Sequence, residues 1–136
     1  MFGMNYIKSF FIALPLLMVL DMGWFLLLMG KFYQTRLHDL LRFGADGSLA
    51  PKLLPAFFVY LLMTVLVLAF AVPKGISGGA MQGFLWGALL GWLIYGFYNF
   101  TNYGLFEKYD LVVATIDTLW GGVIFGLTTL VVVLFI

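Results

Sequence analysis

The sequence predicts an all-α protein: a four-helix transmembrane bundle with a short amphipathic interfacial helix between spans one and two. Three observations predict it. Of the 136 residues, 64% are hydrophobic and 10% charged, where soluble domains carry roughly a quarter charged residues. Four apolar runs each supply the ~20 residues needed to cross a hydrocarbon core of about 30 Å. The connections between them are short except for the first. Backbone groups in lipid must be satisfied within their own segment, so each run must be a helix. The mean hydropathy of +1.09 agrees, and residues 1–136 read as a single integral membrane domain.

The first span covers about residues 10–29. Lys8 ahead of an apolar stretch imitates the start of a signal peptide. No small-x-small cleavage site follows, however, and the stretch continues past Asp21 to Met29, which makes it a retained span. The opening MFGMNYIKSF offers both Met1 and Met4 as start residues.

The first connection contains KFYQTRLHDLLRFG. Tyr33, Leu37, Leu40 and Leu41 fall at helical spacing, with Arg36, His38, Asp39 and Arg42 elsewhere around the turn. That pattern predicts a short helix lying at the membrane interface. An anchoring role is favoured over a gate or a reader of lipid head groups, and His38 is expected to be a solvated surface residue. GADGS then breaks the helix, with Asp46-Gly47 as the turn.

Span two covers about 53–72 and span three about 79–100. In span three Gly79, Gly83, Gly87 and Gly91 recur every fourth residue and are expected to line one helix face, where small residues let another helix approach closely. Span four, about 111–132, carries Gly122 and Gly126 at the same spacing, so the partner is either span four or a second copy in a homodimer. Continued by fours, the stripe becomes Tyr95, Asn99 and Tyr103, with Asn102 one turn from Asn99. One face thus passes from glycine to hydroxyl and amide groups.

Basic residues suggest an orientation. Lys31, Arg36, Arg42 and Lys52 lie in the first connection and Lys108 in the third, against Lys8 and Lys74 on the other side. The positive-inside rule then places connections one and three in the cytoplasm and both termini outside it. The net charge of +1 and the absence of a basic cluster give no basis for binding nucleic acid. Zero cysteines exclude disulfides, thiolate metal sites and cysteine nucleophiles, and one histidine leaves the usual zinc and haem arrangements out of reach. No metal and no cofactor is expected.

The polar centre is the informative part. Asp21 stands in LPLLMVLDMGWFLLLM and Asp117 in LVVATIDTLWGGVIFG, each followed three residues later by tryptophan, Trp24 and Trp120. At 1.5 Å per residue, Asp21 lies about 12 Å and Asp117 about 9 Å below the same boundary. Tyr95 and Asn99 reach a similar depth. An ionised Asp in mid-membrane costs on the order of 2.5–3.5 kcal/mol on insertion scales, so both acids must face inward and find partners. Such a pair can share a proton or hold a cation. The spacing puts Trp24 beside Asp21 and Trp120 beside Asp117, where an indole can donate to a carboxylate or offer its face to a cation. The expected binding layer is Asp21, Trp24, Tyr95, Asn99, Asn102, Asp117 and Trp120. Its ligand would be a small cation or a lipid. The competing structural reading has these groups do no more than lock the bundle together.

LDMGW followed by KFYQ, YGFYNFTN at the close of span three, and IDTLWG in span four carry a likeness that covers almost the whole chain. Together they resemble the domain of unknown function 2177 family of bacterial inner-membrane proteins. The resemblance implies a four-span fold and signature positions at Asp21, Trp24, Tyr33, Tyr95, Asn99, Asn102, Asp117, Trp120 and Gly121, and it supplies no reaction. Three functions compete. The first is transport of a cation or a proton-coupled small solute through the acidic layer. The second is an enzyme of the membrane interface, with one Asp as base on a lipid or isoprenoid substrate. The third is a structural or accessory subunit built around the glycine stripe.

Overall fold

The computed structural model describes residues 5–136; Met1 and Met4 lie outside the described residues. Six α-helices follow in chain order: α1 (Tyr6–Gly23), α2 (Gly30–Arg36), α3 (Leu53–Leu66), α4 (Val72–Gly78), α5 (Ala80–Leu105) and α6 (Leu111–Phe135). π-helical turns at Trp24–Leu28 and Val67–Ala71 extend α1 and join α3 to α4. The result is four helices long and apolar enough to span a membrane: Tyr6–Leu28, Leu53–Gly78, Ala80–Leu105 and Leu111–Phe135. The chain is a multi-pass membrane protein with an all-α bundle.

Helix ends follow from local chemistry. The Asn5 side chain accepts from the Lys8 amide at 3.0 Å and caps α1, while Asp110 accepts from the Val113 amide at 2.9 Å and caps α6. The second span was expected to stop at residue 72 and instead runs to Gly78. Pro73 falls in the first turn of α4, where a missing N–H breaks no helical bond. Gly79, expected as the first member of the stripe, lies outside α5 as the one residue between α4 and α5. Its φ of 101° belongs to a region that side chains strain to enter.

The interfacial helix is shorter than its periodicity suggested. It ends at Arg36 and does not continue through Arg42, because the following loop makes its own hydrogen bonds. The Ala50 amide bonds the Arg42 carbonyl, Phe43 pairs with Leu49, and Asp46 accepts from both the amide and the hydroxyl of Ser48. Tyr33 and Leu37 are buried, whereas Leu40 is exposed. His38 is exposed and stacks on Phe43.

α5 and α6 form the most extensive helix pair. A Cβ on Gly91 would collide with the Gly121 carbonyl, and one on Gly87 would sit 2.7 Å from the Phe125 carbonyl. Gly83 faces Gly75 and Thr129. Gly122 and Gly126 do not meet these glycines; they receive Trp92 and Phe84 of α5. α1 packs on α6 and α3. The second span leans: α3 rests on α1, while its continuation through Val67–Ala71 and α4 reaches α5 and α6. Ala13, Leu17, Val67, Val72, Ile124 and Phe125 fill the centre.

Two ion pairs tie the first connection to the third. Arg36 Nη1 lies 3.3 Å from Asp110 Oδ1, and Lys108 Nζ lies 3.0 Å from Asp39 Oδ2. Lys108 thereby holds the Asp39 carboxyl below the usual carboxylate range. These docked connections close one end of the bundle, here termed the loop end.

Candidate functional site

The acids meet at the loop end, on facing helices. Asp21 is buried near the end of α1 and Asp117 in the second turn of α6. Each accepts two side-chain hydrogen bonds. Asp21 receives the Trp120 Nε1–H on Oδ1 at 3.1 Å and the Tyr60 hydroxyl on Oδ2. Asp117 receives the Tyr33 hydroxyl on Oδ1 at 2.9 Å and the Asn99 amide on Oδ2 at 2.8 Å. Four elements, α2, α3, α5 and α6, thus supply donors. A carboxylate in so dry a place needs that many to offset its lost hydration.

The indoles correct the spacing argument. Neither donates to the acid on its own helix. Trp120 of α6 reaches across to Asp21 of α1, while Trp24 donates to the Tyr33 oxygen at 3.1 Å, and Tyr33 in turn donates to Asp117. The two rings stack with centroids 4.4 Å apart and planes 4° from parallel. An i, i+3 pair shares a helix face, yet across a bundle each side chain reaches over to the neighbouring helix, which spacing on one helix does not report. The stack covers one face of each ring, and neither indole lines the cavities beside the acids.

The π turn that begins at Trp24 is closed by the Met29 amide on the Trp24 carbonyl at 2.8 Å. The extra residue re-aims side chains, which is why such turns recur at functional positions. It leaves the Phe25 carbonyl pressed on Gly30, where any Cβ would collide. Helix α2 then starts at once and delivers Tyr33 back to Asp117.

Asn99, fully buried, is the hub of the α5 side. Its amide nitrogen donates to Asp117 and to the Tyr95 carbonyl at 2.9 Å, and its oxygen accepts from the Tyr109 hydroxyl at 2.7 Å. Burial pushes the Tyr109 phenol up to about 12 and the Tyr33 phenol higher, so both remain donors at any ordinary pH. Asn102 lies one turn further on, beside Tyr98 and Tyr109, and among the described residues bonds neither acid. Tyr33, Tyr60 and Tyr109 were not read from spacing as members of the layer. Tyr33 was read only as an interfacial residue and a family position, and Tyr60 is a lone tyrosine in LLPAFFVYLL. Only the fold brings them in.

Two cavities adjoin the acids. One of about 340 Å³ lies in the gap left by the lean of the second span, walled by Val59 and Met63 of α3 and by Ile94, Tyr95 and Tyr98 of α5. Both Asp21 and Asp117 line it, with Phe25. Tyr95 is half-buried there, its ring against Gly121 and edge-on to Phe125. Its hydroxyl makes no hydrogen bond among the described residues. The other cavity, of about 620 Å³, lies between the end of α1, the first connection and α3, and is lined by both Asp21 and Tyr60. Among the described residues no three His, Asp or Glu side chains gather as a metal-binding group.

A family model described as "Predicted membrane protein (DUF2177)" matches residues 6–134. No curated protein and no solved structure matches the chain.

Proposed function

Taking as premise that the chain belongs to the DUF2177 family of predicted membrane proteins, we propose that it transports a cation, or a small solute coupled to protons, through the layer that holds Asp21 and Asp117. The observation that carries this reading is the shared cavity: carboxylates 96 positions apart in sequence line the same 340 Å³ space. Groups that served only to lock helices together would have no use for an adjoining space. Intramembrane carboxylates are functional candidates by default, because their burial is expensive.

The chemistry follows from the donors. A cation arriving in the cavity finds two carboxylates and the aromatic surfaces of Phe25, Tyr95 and Tyr98. Proton exchange on either Asp changes the charge the site offers, which couples solute to proton. The basic residues of the first and third connections support a cytoplasmic loop end.

Reconstitution tests the reading. Liposomes containing the purified protein should take up an organic cation along an opposing proton gradient, at least tenfold faster than protein-free liposomes. Asp21→Asn or Asp117→Asn should abolish the difference while the helical signature persists. Uptake unchanged in both variants, or absent from the unmodified protein across inorganic and organic cations, would overturn it.

A further inference from the structure

We propose that the species bound at the two acids is a long-chain organic cation: an alkyl ammonium amphiphile with its chain in the 620 Å³ cavity and its head at Asp21 and Asp117. The inference rests on the transport reading above and names its substrate class.

Three observations lead to it. First, the two cavities are adjacent compartments with a common wall, since Asp21 and Phe25 line both. Second, the larger one is walled mainly by apolar side chains, among them Met22, Leu26, Leu37, Leu53 and Ala56. Leu26 and Leu53 are each 78% exposed and belong to membrane-spanning segments, so the cavity is bordered by side chains that face lipid. A hydrated inorganic ion gains nothing from such walls and would lose its hydration beside them, whereas an alkyl chain is favoured there. Third, the hydroxyl of half-buried Tyr95 makes no hydrogen bond among the described residues, in the compartment that both acids line. An ammonium head with its chain directed toward α2 meets a carboxylate on either hand and the aromatic wall of Phe25, Tyr95 and Tyr98.

Tyr60 stands at the junction. It lines the large cavity and donates to Asp21 Oδ2, and its neighbours Val59 and Met63 line the small one. α3 is therefore the partition between the compartments, and the Tyr60–Asp21 bond is what an incoming head displaces. Charge decides the sign of the ligand: Asp21 lines both spaces and Asp117 the smaller one, while Arg42, which lines the larger, is engaged with the Ala50 carbonyl.

The test uses the full chain in lipid discs, with tryptophan emission and equilibrium binding as readouts. The probes are dodecyltrimethylammonium, shorter alkyltrimethylammonium ions down to tetramethylammonium, and dodecyl sulfate. Affinity should rise with chain length, reaching at least tenfold from tetramethylammonium to dodecyltrimethylammonium, and dodecyl sulfate should not compete. Ala56→Trp, which fills the large cavity, should lose at least tenfold for the dodecyl cation and leave tetramethylammonium unchanged. Leu62→Trp, on the outer face of α3, should change neither. Equal affinity along the series, or competition by dodecyl sulfate, would overturn the chain assignment while leaving a cation site at the acids. Should no cation bind the unmodified protein, or should Asp117→Asn bind all of them as before, the underlying transport reading itself fails. The chain-length series needs no variant, so a poorly folded Ala56→Trp protein does not shield the proposal.

Discussion

Trp24 and Trp120 lie face to face 4.4 Å apart, and each indole N–H serves the polar system of the opposite helix. This crossing makes α1 and α6 one unit at the loop end. Sliding one helix against the other would break the stack and leave two indole donors and two carboxylates short of partners in a low-dielectric layer, where unmet polar groups are most expensive.

Parallel indoles at this separation couple their electronic transitions. Trp24→Phe and Trp120→Phe should each abolish the same exciton couplet in circular dichroism. Trp86→Phe and Trp92→Phe should leave it in place, because neither ring belongs to the stack. A couplet that survives either of the first two substitutions would refute the arrangement.

Asp117→Asn should destabilise the bundle by about 1–3 kcal/mol, the usual penalty for a spoiled buried hydrogen bond. An amide there cannot accept from Tyr33 and Asn99 at once without turning a donor toward a donor. Adding Asn99→Asp restores one acceptor opposite one donor. The double variant should recover part of the loss, measured as the unfolding midpoint in detergent, despite the lost bond to the Tyr95 carbonyl.

Glycines of α5 should differ sharply in their tolerance of alanine. At Gly91 the new methyl meets the Gly121 backbone, which cannot turn aside, so Gly91→Ala should cost more than the roughly 1–3 kcal/mol of ordinary overpacking. At Gly96 the nearest atom is the Thr118 methyl at 3.5 Å, and Gly96→Ala should be neutral or stabilise by up to about 1 kcal/mol through helix propensity. Unfolding titrations of the two variants compare them directly.

The Asp39–Lys108 pair sets a pH window. A carboxyl held below its ordinary value of 3.8 contributes stability that is present above that value and is lost as pH falls through its folded-state value. The docking of the two connections should therefore be intact at neutral pH and loosen only under acid conditions below 3.8. Lys108→Ala should return the Asp39 carboxyl, followed by its carbon chemical shift, toward its ordinary value.

Much of the architecture was legible because lipid imposes strict rules. Apolar length marked four spans, and the cost of a charge marked Asp21 and Asp117. Their similar depth placed Tyr95 and Asn99 in the same layer. What spacing could not reveal was partnership between helices. Trp24 falls on the face of Asp21 along the helix, yet its N–H serves Tyr33, since the reach of an indole exceeds a turn. Tyr60 was invisible because one hydroxyl among aliphatic residues looks the same whether it points to lipid or to Asp21. Gly79 continued a perfect period of four, but period alone does not distinguish a helical glycine from one at φ 101°.

That single glycine has a bearing on biogenesis. With only Gly79 between α4 and α5, the second and third spans form a helical hairpin with no slack in its turn, a geometry suited to entering the bilayer as a unit. Helix α6 follows α5 in the chain, so it meets an α5 already made, and its docking brings Asp117 and Trp120 to the acid and indole on α1. The polar layer is thus completed only when α6 docks, and until then Asp21 lacks the Trp120 donor.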